Sequence, residues 1–149
     1  MPDPGHVTLL YRRAAGFLER RELREFAERL RVEVAEGRPF DCLLTDDREL
    51  RRLNRDFLKN DYPTDVLSFP SGQKTDWLGE IAISAERAAV QSGAFGHSLF
   101  DEVRILMLHG LLHLCGFDHQ RDRGRMRRLE IQWRKKLELP AGLIERARP

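Results

Sequence analysis

The chain has 149 residues, enough for one domain with a substantial hydrophobic core. Hydrophobic residues make up 41% and charged residues 34%, which excludes a disordered chain, and no apolar run reaches the ~18 residues that a membrane span needs. The net charge is only +2, yet segment 121–136 carries +6 and leaves −4 for the remainder, so the charge is concentrated rather than absent.

The start, MPDPGHVTLLYRR, lacks the basic then apolar pattern of a secretory leader. Cys42 and Cys115 lie far apart, which argues against a disulfide framework. A cytoplasmic protein of a single domain, residues 1–149, is the expectation.

In chain order, HVTLLY (6–11) reads as a strand. Residues 19–37 form an amphipathic helix, with Leu23, Phe26, Ala27, Leu30 and Val34 at three- and four-residue steps and Gly37 as the stop. FDCLLT (40–45) is a second strand. Residues 46–58 are a helix capped by Asp46 or Thr45, with Leu50, Leu53 and Phe57 apolar. After the turn chemistry of NDYP, a strand follows at 66–69 and another at 77–84. A short helix at 85–93 ends at Gly93. Residues 98–115 make the main core helix, entered through Ser98 and Asp101 in the manner of a capping box. A last helix, 123–139, places Met126, Leu129, Trp133 and Leu137 on one stripe before Pro140. The expected fold is α+β, a mixed α/β arrangement of a small four-stranded sheet and about five helices.

The core helix contains HGLLHLCGFDH (109–119). Positions i and i+4 share a helix face, so His109 and His113 present two ring nitrogens to one point. Their neighbours are apolar nearly all round, and buried imidazoles need polar partners. A glycine just past a helix end can reverse the chain, so Gly116 allows His119 to return to the same point. Three nitrogens and one open position are the pattern of a catalytic zinc, one per chain, on a zincin-like metal helix. Cys115 falls on another side of the helix, and His6 and His97 stand alone. The spacing equals that of the zinc proteases HExxHxxGxxH, but Gly110 stands where they carry a glutamate base. Proteolysis by that route is therefore disfavoured.

HGLLHLCGFDH closely resembles the signature of the YbeY family, metal-dependent bacterial endoribonucleases of ribosomal RNA maturation. LNRDFLKNDYPTDVLSFP (53–70) and LGEIAIS (78–84) are similar to two further family blocks, and the likeness spans residues 40–139. It implies zinc at His109, His113 and His119 and cleavage of single-stranded rRNA. It further implies a role in small-subunit rRNA 3′ end maturation and ribosome quality control. The small ribosomal subunit and assembly factors are the implied partners.

The family usually has an arginine after the aromatic of the LN block; here Leu58 stands there, followed by Lys59. Lys59 is then a phosphate contact or a solvated residue, and lysine lacks the guanidinium fork. Asp118 orients a histidine or caps the turn. Thr64, Asp65 and Ser68 serve turn and strand-edge hydrogen bonds or line the cleft opposite the metal. Arg121 and Arg123, nearest the metal in the basic segment, are expected to hold the RNA backbone. Bound zinc would lower the pKa of its water toward about 7 or polarise the scissile phosphate. Two alternatives stand beside this reading: a zinc peptidase or other hydrolase with a remote base, and a non-catalytic zinc-stabilised ribosome-assembly factor.

Overall fold

The computed structural model describes residues 6–13, 15, 18–59, 64–72, 75–118 and 121–146. Four strands, β1 (Thr8–Tyr11), β2 (Asp41–Thr45), β3 (Val66–Pro70) and β4 (Gly79–Ser84), form one sheet in the order β1-β2-β4-β3. The pairs β1–β2 and β2–β4 are parallel, and β3 lies antiparallel to β4. The helices are α1 (Arg20–Glu33), α2 (Asp47–Leu58), α3 (Ala85–Phe95), α4 (Leu99–Leu114), α5 (Arg125–Lys136) and α6 (Leu143–Arg146). This is the α+β fold expected from the sequence, with six helices among the described residues. None of them is long and apolar enough to cross a membrane.

Strand side chains alternate between faces, and that alternation divides the molecule into two layers. Cys42 and Leu44 of β2 and Ile81 and Ile83 of β4 point into the larger core with α1 and α4. Leu43 and Ala82, between them in sequence, point the other way and pack with Leu50 and Leu53 of α2 and with Leu67 and Phe69 of β3. So α4 and α2 lie on opposite faces of one sheet. The two central strands are buried on both faces and accordingly carry nearly continuous apolar runs. The edge strand β3 tolerates Ser68 and ends in Pro70.

The starts of α2, α3 and α4 carry side-chain caps. Asp46 accepts from the Glu49 N–H at 2.9 Å, and Ser98 accepts from the Asp101 N–H at 3.0 Å. Several details differ from expectation. The first helix ends at Glu33, and Gly37, at φ 87°, closes the turn that follows. Gly93 remains helical, and α3 runs on to Phe95 until Gly96, at φ 72°, caps it. On α5 the buried stripe is Met126, Glu130 and Leu137, with Leu129 only half-buried, so an acid occupies the inward position assigned to leucine. The short α6 gave no periodic signal in four residues.

Candidate active site

Eight apolar residues and one glycine of α4 are buried together with His109, while His113 is half-buried at the helix end. The two imidazoles meet edge to face, centroids 4.8 Å apart, and their Nε2 atoms are 3.2 Å apart. The i, i+4 pairing is therefore realised in space.

What lies behind each ring fixes its tautomer. The Nδ1 of His113 is 2.9 Å from the carbonyl oxygen of Phe117, which can only accept, so Nδ1 carries the hydrogen. The Nδ1 of His109 is 2.7 Å from the Glu130 carboxylate, with the same consequence. Each Nε2 thus turns a lone pair toward the same point. That donor set suits a cation of borderline softness, and nitrogens about 2.0–2.1 Å from one ion at a near-tetrahedral angle would stand about as far apart as these two do. His119, the third expected ligand, lies outside the described residues, and no cluster of three or more metal-binding side chains occurs among those described.

The turn after α4 builds one of these supports. Gly116 has φ 100°, the Phe117 N–H donates to the Leu112 carbonyl at 3.1 Å, and the Gly116 N–H donates to the His113 carbonyl at 3.0 Å. This is the Schellman pattern, and it aims the Phe117 carbonyl back at His113. Glu130 supplies the other support. It is buried, its second oxygen accepts from the Ile144 N–H at 2.9 Å, and a Cβ at Gly142 would lie 2.5 Å from that oxygen. Glu130 is not marked by any motif in the sequence; an acid four residues after Met126 on a basic helix is the available signal.

Gly110 packs against the sheet. A Cβ there would sit 2.8 Å from Ile81 Cγ2 and 3.2 Å from Ser68 Oγ, and the Ser68 hydroxyl donates to the Gly110 carbonyl at 3.0 Å. A side chain at the position that holds the protease glutamate would have to displace Ile81 and Ser68.

The other expected residues are placed as follows. Asp65 accepts from the Val66 N–H at 2.8 Å and from Gln91 Nε2 at 3.1 Å, so it and Ser68 hold the edge strand to α3 and α4. Thr64 is half-buried just before β3. The Asp118 carbonyl accepts from the Arg121 N–H at 3.1 Å, and its carboxylate lies 3.9 Å from Arg121 Nε. Arg121 and Arg123 are exposed beside this turn. The remaining basic segment is partly occupied, since Arg134 forms a two-pronged pair with Glu145 and Lys136 lies over Trp133. Lys59 caps α2 at φ 62°, with Nζ 3.4 Å from the Asp56 carbonyl, and Leu58 is exposed. Burial pushes the Cys42 thiol far up and also raises Cys115, so both are poor metal ligands where they stand.

Fold and site define a small α+β protein centred on two histidines whose tautomers are set from behind. Comparison with known proteins agrees with the resemblance read from the sequence. The sequence model of the family described as Endoribonuclease YbeY matches residues 18–138. An Endoribonuclease YbeY of Solibacter usitatus is 58% identical over 146 residues, covering 98% of each chain. That of Koribacter versatilis is 46% identical over 140 residues, covering 94% of this chain and 91% of its own. A Thermotoga maritima protein solved in solution shares the fold at TM-score 0.58 and 24% identity, over 87% of this chain and 85% of that one. The chain belongs to the YbeY family of endoribonucleases. It is a nuclease, and a hydrolase by class.

Proposed function

We propose that the chain is a zinc-dependent, single-strand-specific endoribonuclease of small-subunit rRNA 3′ end maturation and ribosome quality control, working in the cytoplasm on the small ribosomal subunit. The observation that carries the metal reading is the pair of Nε2 atoms 3.2 Å apart with both Nδ1 atoms held by acceptors. His109, His113 and His119 would hold one zinc ion per chain. When bound, zinc supplies Lewis acidity to the scissile phosphate and its attacking water.

The protein's own groups do the rest. Glu130 and the Phe117 carbonyl keep both rings in the donating tautomer and raise their basicity. The packed glycine at 110 puts no carboxylate at the position of the protease base, which counts against peptide hydrolysis by the protease route. Arg121 and Arg123 stand exposed beside the His113 turn and are suited to phosphate. Lys59 is the remaining candidate phosphate contact, acting in place of the absent arginine at Leu58. Asp118 braces the turn ahead of Arg121.

The test joins metal analysis to cleavage of single-stranded rRNA fragments, alongside peptide substrates. Purified protein should contain about one zinc per chain, His113→Ala should lose it, and cleavage should stop with it. Leu58→Arg should raise activity if Lys59 is a weak substitute. Full zinc retention by His113→Ala would remove the ligand assignment, and metal-dependent peptide cleavage without RNA cleavage would reverse the reading.

A further inference from the structure

A strongly basic concavity lies away from the histidines. It is a cavity of about 550 Å³ lined by Arg13, Arg48, Glu49, Arg51, Arg52 and Arg55. The four arginines of α2 stand at positions i, i+3, i+4 and i+7, so they share one helix face over two turns. Arg13 reaches the same space from the segment after β1. Five guanidinium groups against one carboxylate give this lining a charge of +4, more than the +2 of the whole chain.

That carboxylate organises the patch. Glu49 is buried and lies 3.1 Å from both Arg12 and Arg52, while the Thr45 hydroxyl donates to it at 2.8 Å. Around the rim, Arg13–Asp46 at 3.9 Å, Arg52–Asp56 at 3.7 Å and Arg55–Asp56 at 3.2 Å are exposed pairs that neutralise little. Crowded like charges cost stability unless an anion answers them. The lining has no aromatic or aliphatic anchor, which a protein interface would place at its centre. Guanidinium forks in a row suit phosphodiester oxygens.

We propose that the arginine face of α2 is a second RNA-backbone contact, on the sheet face opposite the one that carries His109 and His113. The proposal rests on RNA as the substrate and adds where a long RNA continues after leaving the site. An RNA bound at both places passes around the sheet edge, so a short single strand engages only the histidine side. A longer, structured RNA engages both.

The experiment compares wild type with R48A/R51A/R55A, which spares the Glu49–Arg52 pair, and with R48K/R51K/R55K. Two probes are used, a short single-stranded oligonucleotide and a stem-loop RNA with a single-stranded 3′ tail. Binding is read across a salt series by fluorescence anisotropy, and thermal unfolding confirms that each variant is folded. For the alanine variant, stem-loop affinity is expected to fall at least about tenfold, and the slope of log K on log salt by about two to three. Short-strand affinity and cleavage should be unchanged, and the lysine variant should recover the slope. Unchanged stem-loop binding overturns the proposal, as does an equal loss on both probes. Retained RNA binding with loss of affinity for poly-glutamate would reassign the face to an acidic protein and also overturn it. Failure of the wild type to bind either RNA would instead sink the reading on which the proposal rests.

Discussion

Glu130 stands behind His109 as the residue most worth changing. Glu130→Gln keeps the shape but replaces a charged acceptor by a weaker one, and is expected to lower metal affinity about 10–100-fold. Competition with a chelator measures this, and an unchanged affinity would make Glu130 a packing residue. Gly142→Ala should act in the same direction, because its Cβ would press on the oxygen held by Ile144. At Gly110 the expectation concerns stability. Gly110→Ala forces Ile81 and Ser68 aside and should cost about 1–3 kcal/mol by urea unfolding. The histidine spacing and Gly116 were legible in the sequence because both are local, set within about two turns of helix. Glu130 was not, because 21 residues separate it from His109 and only the packing of α5 on α4 brings the two together.

At the scale of elements, the turn after α4 couples stability to site geometry. Gly116→Ala places a Cβ in the left-handed region and should cost about 1–2 kcal/mol. The same change should move the Phe117 carbonyl from His113 and weaken metal retention, whereas Ser98→Ala at the far end of α4 should cost about 1 kcal/mol without touching it. Unfolding curves and metal titration of the two variants separate the effects. Element types were readable because periods of 3.6 and 2 are written in each segment. Gly93 does not end α3 because glycine in a helix interior is tolerated, and only backbone geometry distinguishes it from the true cap at Gly96. The placement of α2 and α4 on opposite faces depends on strand order, which no local pattern encodes.

For the whole molecule, several carboxylates share one sign. Burial would raise Glu49, but the Thr45 and Arg52 hydrogen bonds and the charges of Arg12 and Arg52 hold it below the usual range. Burial opposes the shift of Glu28 too, yet the Val7 N–H and Arg31 lower it. The Arg134 hydrogen bond leads in lowering Glu145. A carboxyl lowered on folding adds its stability in full above its unfolded value, about 4.3 for Glu. It loses that stability as the pH falls through the lower folded value. Stability should therefore drop on acidification below about pH 4, and Glu49→Gln should flatten that limb in urea midpoints measured against pH. Glu80 opposes the others, raised by burial and by Asp41.

The short helix α6 has a consequence for synthesis. Its Ile144 N–H meets Glu130, and its Arg146 pairs through both guanidinium nitrogens with Glu102, a fully buried acid that also meets His97 at 2.6 Å. A nascent chain still lacking residues 143–146 would hold two interior carboxylates short of their partners, one of them directly behind His109. The centre is thus completed only when this segment has cleared the exit tunnel and docked.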